Sequence, residues 1–277
     1  SSFVQLQEWM KKASLAVLQQ RTQPGYEDAQ LQPRLQGIAK AVDTVMVSEG
    51  WSHFHYSLVF EELAMVHPEQ GALPISLLSD GVRAMISLAA DLALRCVRLN
   101  AYLRAQAPRE SAGIVLIDEV DLHLHPAWQQ TILGSLHAGF PKLQFIVTTH
   151  SPPVLTRVDA SCIRKLVPST DPKTGQGLVT VENVTTQTRG VASADVLATL
   201  MSVNPIPDVP EARKLSDYHA LIQQGLHDSE EGFQLRAELD EHFSPSHPVM
   251  LECDRMIRLQ AFKQKLPALR SPMAGDA

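Results

Sequence analysis

Two short apolar runs end in groups that can do chemistry. Ile114-Val115-Leu116-Ile117 is followed at once by two adjacent carboxylates, Asp118 and Glu119. A run of this kind reads as a buried strand, and ligands of open α/β sheets gather at the carboxyl ends of such strands. Two acids delivered there suit the hydrolysis of a nucleotide, with the Asp holding Mg²⁺ directly or through water and the Glu polarising the attacking water. Taken alone, the pair is better explained as solvated acids at a strand end. A second run, Phe145-Ile146-Val147-Thr148-Thr149, leads into His150. Its imidazole is expected at the same sheet edge, one crossover away, where it can hydrogen-bond a γ-phosphate and respond to its loss. Upstream, Leu78-Ser79-Asp80-Gly81-Val82-Arg83 precedes a long apolar helical pattern. Ser79 is expected to be an N-cap, and the free N–H groups and positive end of that helix attract phosphate. Alone this corner is an ordinary helix start; in order with two functional strand ends it becomes the third member of a set.

The elements that position these groups follow from periodicity. Residues 3–20 and 31–47 show helical spacing of apolar residues around a Pro24-Gly25 break. Residues 53–66 are rich in aromatic and β-branched residues and predict one strand, closed by a turn at 67–71. Residues 82–99 predict a strongly apolar helix, and 126–137 a helix between the two functional strands. Strand, helix, strand in so short a span is a parallel βαβ unit. Residues 163–167 and 178–184, split by the Asp171-Pro172-Lys173-Thr174-Gly175 turn, predict a hairpin. From Ala192 onward the chain reads as polar helices with breaks at Asn204-Pro205-Ile206-Pro207 and Phe243-Ser244-Pro245, ending in a frayed tail over 270–277. His53 and His55 alternate on the expected strand and read as a solvated face. The fold class is therefore α/β, in three parts: 1–72 leading in, 73–190 as the core, and 191–277 as a helical accessory region.

Composition bounds the setting. The chain has 277 residues with 44% hydrophobic content, enough to bury a core, and a net charge of −6 argues against coating nucleic acid or anionic membrane over the whole surface. Cys96, Cys162 and Cys253 are far apart, odd in number and form no C-x-x-C, as in a reducing compartment without disulfides or a zinc cage. No run approaches the length of a membrane span. These features predict a cytoplasmic protein with no membrane partner.

In their order, the three segments resemble the signature motif, the Walker B strand with its D-loop, and the switch-histidine strand of ABC-type ATPase heads of the chromosome-maintenance, DNA-repair and anti-phage kind. The resemblance spans 73–153. It implies that Leu78, Ser79, Asp80, Gly81 and Arg83 form a signature corner in which Ser79 and Gly81 meet the γ-phosphate of ATP held by an opposite subunit. Asp118 would serve Mg²⁺, Glu119 would be the catalytic base and His150 the switch. Val120-Asp121-Leu122-His123-Leu124-His125-Pro126 matches the D-loop, and its Leu-His-Leu-His-Pro wording is similar to the overcoming-lysogenization-defect-like and related defence ATPases rather than to transporters. Arg83 in place of a transporter-style Gln points the same way. His123 and His125 share an alternating spacing that could serve a metal, but no third ligand stands near, and a D-loop contact across a dimer accounts for them.

One departure stands beside the match. No G-x-x-x-x-G-K-[ST] loop occurs, and none of the 14 glycines precedes a Lys. With a first residue, Ser1, that is not Met, this predicts either an omitted N-terminal Walker A lobe or a degenerate subunit, with omission favoured. An overcoming-lysogenization-defect nuclease would continue into a Toprim domain with an Asp-x-Asp pair, which residues 151–277 lack. The tail with Glu211-Ala212-Arg213-Lys214-Leu215 and Ser229-Glu230-Glu231-Gly232 is instead similar to the accessory region of Septu-type ATPases, including those attached to retrons. A generic helical domain that stabilises a dimer fits it as well. The resemblance implies a self-pairing ATPase with ATP and Mg²⁺ that controls a partner HNH endonuclease and, in a retron, associates with a reverse transcriptase and its RNA–DNA hybrid. A DNA-repair or chromosome-maintenance ATPase, or a subunit that never hydrolyses ATP, are the alternatives.

Overall fold

The computed structural model describes residues 2–22 and 30–265. The Pro24-Gly25 break and the tail expected over 270–277 lie outside them. The chain divides into two compact units, Ser1–Ser202 and Val203–Ala277.

The first unit opens with helix α1 (Ser2–Thr22) and helix α2 (Leu31–Met46). α1 buries Leu6, Met10, Ala13 and Val17, and α2 buries Ile38, Ala41, Val42 and Val45, each at the three- and four-residue spacing of a helix face. Strands β1 (Ser52–Ser57), β2 (Glu62–His67) and β3 (Gly71–Pro74) form an antiparallel sheet in sequence order. The single strand expected over 53–66 is thus two strands, because the chain reverses at 58–61. No Gly, Pro, Asn or Asp marks that turn. Side chains close it instead: the Phe60 amide donates to the Ser57 hydroxyl (3.3 Å), and the Tyr56 hydroxyl donates to the carbonyl of Glu61 (2.9 Å), a residue with left-handed φ of 54°.

Helix α3 (Asp80–Leu99) is the spine of the unit. Val82, Met85, Ile86, Ala89, Ala90, Ala93, Cys96 and Val97 are buried, and they share one core with α1, α2 and the first sheet. Each large apolar side chain so covered contributes about 1.5–3 kcal/mol. The short helix α4 (Ala107–Glu110) leads to strand β4 (Gly113–Ile117). The helix expected over 126–137 is broken into α5 (Pro126–Gln129) and α6 (Ile132–Gly139). At the break both the amide and the hydroxyl of Thr131 donate to the Trp128 carbonyl (2.9 and 3.1 Å), ending the first helix. Strand β5 (Leu143–Val147) then pairs with β4 in parallel, from Gly113 opposite Leu143 to Ile117 opposite Val147.

Beyond it, α7 (Pro152–Leu155) is followed by the antiparallel hairpin β6 (Arg164–Thr170) and β7 (Gly177–Asn183), as expected, and by α8 (Ser193–Thr199), which packs on α7. One face of the β4/β5 pair packs on the core through Val115, Ile117, Phe145 and Val147. The other is open: Ile114, Leu116 and Ile146 are 66%, 75% and 52% exposed.

The second unit contains α9 (Pro210–Gln224), α10 (Glu230–Phe243) and α11 (Pro248–Lys265) around Tyr218, Ile222, Leu239, Met250 and Cys253. Gly225, at φ 75°, ends α9, and the Ser229 hydroxyl caps α10 by accepting from the Gly232 amide at 3.1 Å. Arg236 bridges Asp240 and Asp254 within this bundle. Among the described residues no helix is long and apolar enough to cross a membrane, and Cys96, Cys162 and Cys253 are free thiols.

Candidate functional site

Parallel pairing forces the chemical groups of β4 and β5 to one edge. The ladder continues one step past the strands: the Thr148 amide donates to the Ile117 carbonyl (3.0 Å), and the Val120 amide donates to the Thr148 carbonyl (3.1 Å). Asp118, Glu119 and His150 therefore leave the sheet at the same rim, all exposed. Thr148 is the hub between them. Its hydroxyl donates to the Asp118 carboxylate and accepts from the Glu119 amide at 2.8 Å. Glu119 has a left-handed φ of 49°, a conformation that costs a non-glycine residue about 1 kcal/mol or more. The bonds to Thr148 hold it there.

After Glu119 the chain makes two tight turns, with the Leu122 amide on the Glu119 carbonyl (2.9 Å) and the Leu124 amide on the Asp121 carbonyl (3.1 Å). Val120 and Leu124 are buried anchors, whereas Leu122, His123 and His125 face outward. His123 is also left-handed, at φ 63°. His125 precedes α5 and its Nδ1 accepts from the Ala127 amide at 3.3 Å, so this ring serves as a helix cap. Burial raises the Glu49 carboxyl above the usual range, and the Ser48 hydrogen bond draws it partly back.

At the third element, Leu78 is buried and Ser79 occupies the N-cap position of α3. Its hydroxyl makes no capping bond, so it stays available beside the free amides of the first helical turn. Arg83 pairs with Asp80 one turn along. Gly81 is where the backbone must be bare: a Cβ there would stand 2.7 Å from the His123 carbonyl oxygen and 3.4 Å from the Trp128 ring. The Ser79/Gly81 corner and the 120–125 loop are thus in direct contact, and an open cleft of about 450 Å³ between them is lined by Ser79, Asp80, Gly81, His123, His125 and Trp128. A neighbouring cleft of about 600 Å³ is walled by Phe3, Gln7, Glu62, Arg83 and His123. Neither includes Asp118, Glu119 or His150. Within one chain the residues form two groups, a corner joined to a loop and a rim of acids with a histidine.

The donor set suits Mg²⁺ rather than a metal held by protein alone. Among the described residues no three His, Cys, Asp or Glu gather into a cage. Asp118 is an exposed hard carboxylate beside a hydroxyl, and Mg²⁺ is commonly held by one or two carboxylates, keeping water and taking its remaining ligands from phosphates. Sequence reasoning named the acids and the imidazole but not Thr148, which holds the acids, nor Thr149 and Gln129, which tie the 120–125 loop to the end of β5. The one available signal was the pair of threonines placed directly before His150.

Comparison with known proteins adds a lineage. The chain is 38% identical over 182 residues to the Retron Ec83 probable ATPase of Escherichia coli, covering 65% of this chain and 31% of that protein. It is 37% identical over 168 residues to the Retron Vc95 probable ATPase of Vibrio cholerae serotype O1 biovar El Tor, covering 60% of this chain and 31% of that protein. Over 75 residues it is 48% identical to the Septu protein PtuA of Bacillus mycoides (strain KBAB4), covering 27% of this chain and 10% of that protein. The chain thus spans 31% of the length of each of the two retron relatives. A family model described as "AAA domain, putative AbiEii toxin, Type IV TA system" matches residues 17–156, half of the chain, and the chain belongs to that AAA-domain family.

Proposed function

We propose that this chain is part of an ATP-hydrolysing subunit of an anti-phage defence complex of the retron or Septu kind. The observation that carries the reading is the delivery of Asp118, Glu119 and His150 to one rim of a parallel strand pair, stitched by Thr148. The names of the relatives, two retron probable ATPases and a Septu protein, support the same direction. In this reading 73–190 handles nucleotide, 1–72 leads into it and 191–277 is accessory.

The roles follow from chemistry. Glu119 orients and polarises the attacking water from an exposed position at the strand end. His150 in this reading would hydrogen-bond the γ-phosphate and register its departure. Asp118 would hold Mg²⁺, which when bound supplies positive charge against the phosphate oxygens. The free Ser79 hydroxyl and the amides around Gly81 take the γ-phosphate of ATP held by a second copy, with Leu78, Asp80 and Arg83 shaping that corner and Leu122, His123 and His125 flanking it. The separation of the two groups within one chain supports completion by a second copy. Partners in this reading are a second copy, an HNH endonuclease and, in a retron, a reverse transcriptase with its RNA–DNA hybrid, all in the cytoplasm.

The test is Glu119→Gln in the complete protein. The amide keeps the shape of the side chain but cannot accept a proton, so steady-state ATP hydrolysis is expected to fall by about 100-fold or more while ATP binding persists. Unchanged turnover removes Glu119 from the mechanism and with it the assignment of this rim as the hydrolytic site.

A further inference from the structure

The end of the histidine-bearing strand and the Ser79/Gly81 corner are joined through the 120–125 loop, and Gln129 is one of the side chains that tie it to the strand end. The Ser151 hydroxyl, buried just past His150, donates to the Gln129 side-chain oxygen at 2.6 Å. The Gln129 amide nitrogen donates in turn to the Leu124 carbonyl (3.0 Å) and lies 3.5 Å from the Asp121 carbonyl. A parallel tie runs beside it, since the Thr149 hydroxyl donates to the Asp121 carboxylate and accepts from the Ser151 amide at 3.0 Å. Both turns of the 120–125 loop are therefore hung from the residues flanking His150. The loop's far side lies against Gly81, where the His123 carbonyl leaves no room for a Cβ, and Trp128, the neighbour of Gln129, packs on the same glycine.

We propose that Gln129 is a positioning residue that makes the 120–125 loop follow the His150 strand end and carries its displacement to the Ser79/Gly81 corner. It touches neither the acids nor the histidine; it acts by holding two loop carbonyls and one serine hydroxyl at fixed separation. A primary amide is suited to this task because it donates to the loop and accepts from the strand at the same time. A chain of contacts with so little slack passes a shift at one end to the other rather than absorbing it. Loss or departure of a group at His150 is then felt at the corner that meets the second copy. The proposal rests on the nucleotide reading above.

The experiment measures ATP turnover of the complete protein with Gln129→Leu, Ser151→Ala and the two combined, alongside Glu119→Gln. If the link operates, each single substitution lowers kcat by about tenfold with KM for ATP unchanged, and the double is no worse than Gln129→Leu alone, because both cut one connection. Amide exchange at Leu122 and Leu124 also quickens in the nucleotide-free protein, a readout independent of turnover. Wild-type kcat in both singles, or losses that multiply in the double, overturns the coupling while a dead Glu119→Gln leaves the nucleotide reading standing. An active Glu119→Gln removes the assignment of the rim as the hydrolytic site, on which the coupling rests, whatever the Gln129 and Ser151 variants do. Should Gln129→Leu fail to fold, Ser151→Ala with its exchange measurement decides alone, since it removes only a hydroxyl.

Discussion

The Thr148 hydroxyl donates to the Asp118 carboxylate across the parallel strand pair, and its oxygen also accepts the amide of Glu119. One side chain on the histidine-bearing strand thereby fixes both acids on the neighbouring strand.

Replacing that hydroxyl by a methyl tests the fixture. Thr148→Val keeps the volume and the β-branched shape but removes both bonds. The groups are exposed, so water replaces the lost partners and stability should change by less than about 1 kcal/mol. Glu119, released from its left-handed anchor, should lose its alignment, lowering ATP turnover of the complete protein by about tenfold or more. Thr148→Ser should retain most activity. Equal turnover in the Val and Ser variants would show that the acids need no support from the adjacent strand.

Ser79 allows a different separation. Its hydroxyl bonds to nothing at the helix start and its side chain is exposed. Ser79→Arg should therefore leave the melting temperature of the chain unchanged within about 2 °C. In the complete protein the bulky cation should abolish ATP-dependent self-association, measured by sedimentation with and without ATP. Pairing at the wild-type level would reject the signature assignment.

The second unit offers a test of its polar core. Arg236 is 22% exposed and pairs with Asp240 and Asp254, and these bonds hold its guanidinium well above its ordinary pKa. Arg236→Met strands two partly covered carboxylates. The expected loss is about 2 kcal/mol, between the values for exposed and buried pairs. Amide exchange in α10 and α11 should then quicken by about 30-fold. Arg213→Met, which breaks an exposed pair with Asp208, should leave exchange unchanged. Similar effects from both would mean that the Arg236 bridge carries no special weight.

Much of this architecture was legible because local pattern and tertiary role agree. The run at Ile114 to Ile117 is apolar on both faces, as a parallel strand should be, and α3 repeats its buried residues at every turn. The β1/β2 reversal was not legible, because Leu58, Val59 and Phe60 occupy a turn and the devices that close it are side chains of the flanking strand. The α5/α6 break was hidden for a similar reason: it lies in a Gln-Gln-Thr stretch without Gly or Pro. At the site, adjacency in sequence exposed Asp118 and Glu119, but Gln129 meets Ser151 only through folding, and no spacing rule relates them.

The open face of β4 and β5 sets apolar side chains against water. Parallel strands are covered on both faces in nearly all proteins, yet Ile114, Leu116 and Ile146 stand together on one face with more than half of each exposed. The retron relatives extend far beyond the matched segment, and we expect polypeptide of the complete protein to lie on this face. Two measurements should then diverge. In residues 1–277 alone, Leu116→Glu with Ile146→Glu should cut the fluorescence of an apolar-surface dye by about half or more and improve solubility, because charges replace wetted hydrocarbon. In the complete protein the same pair should cost about 4 kcal/mol or more, from two large side chains losing their cover and two carboxylates being forced into it. An unchanged melt of the complete protein would mean that the face is wet there too, and that the strand pair tolerates solvent on a side where parallel sheets otherwise do not.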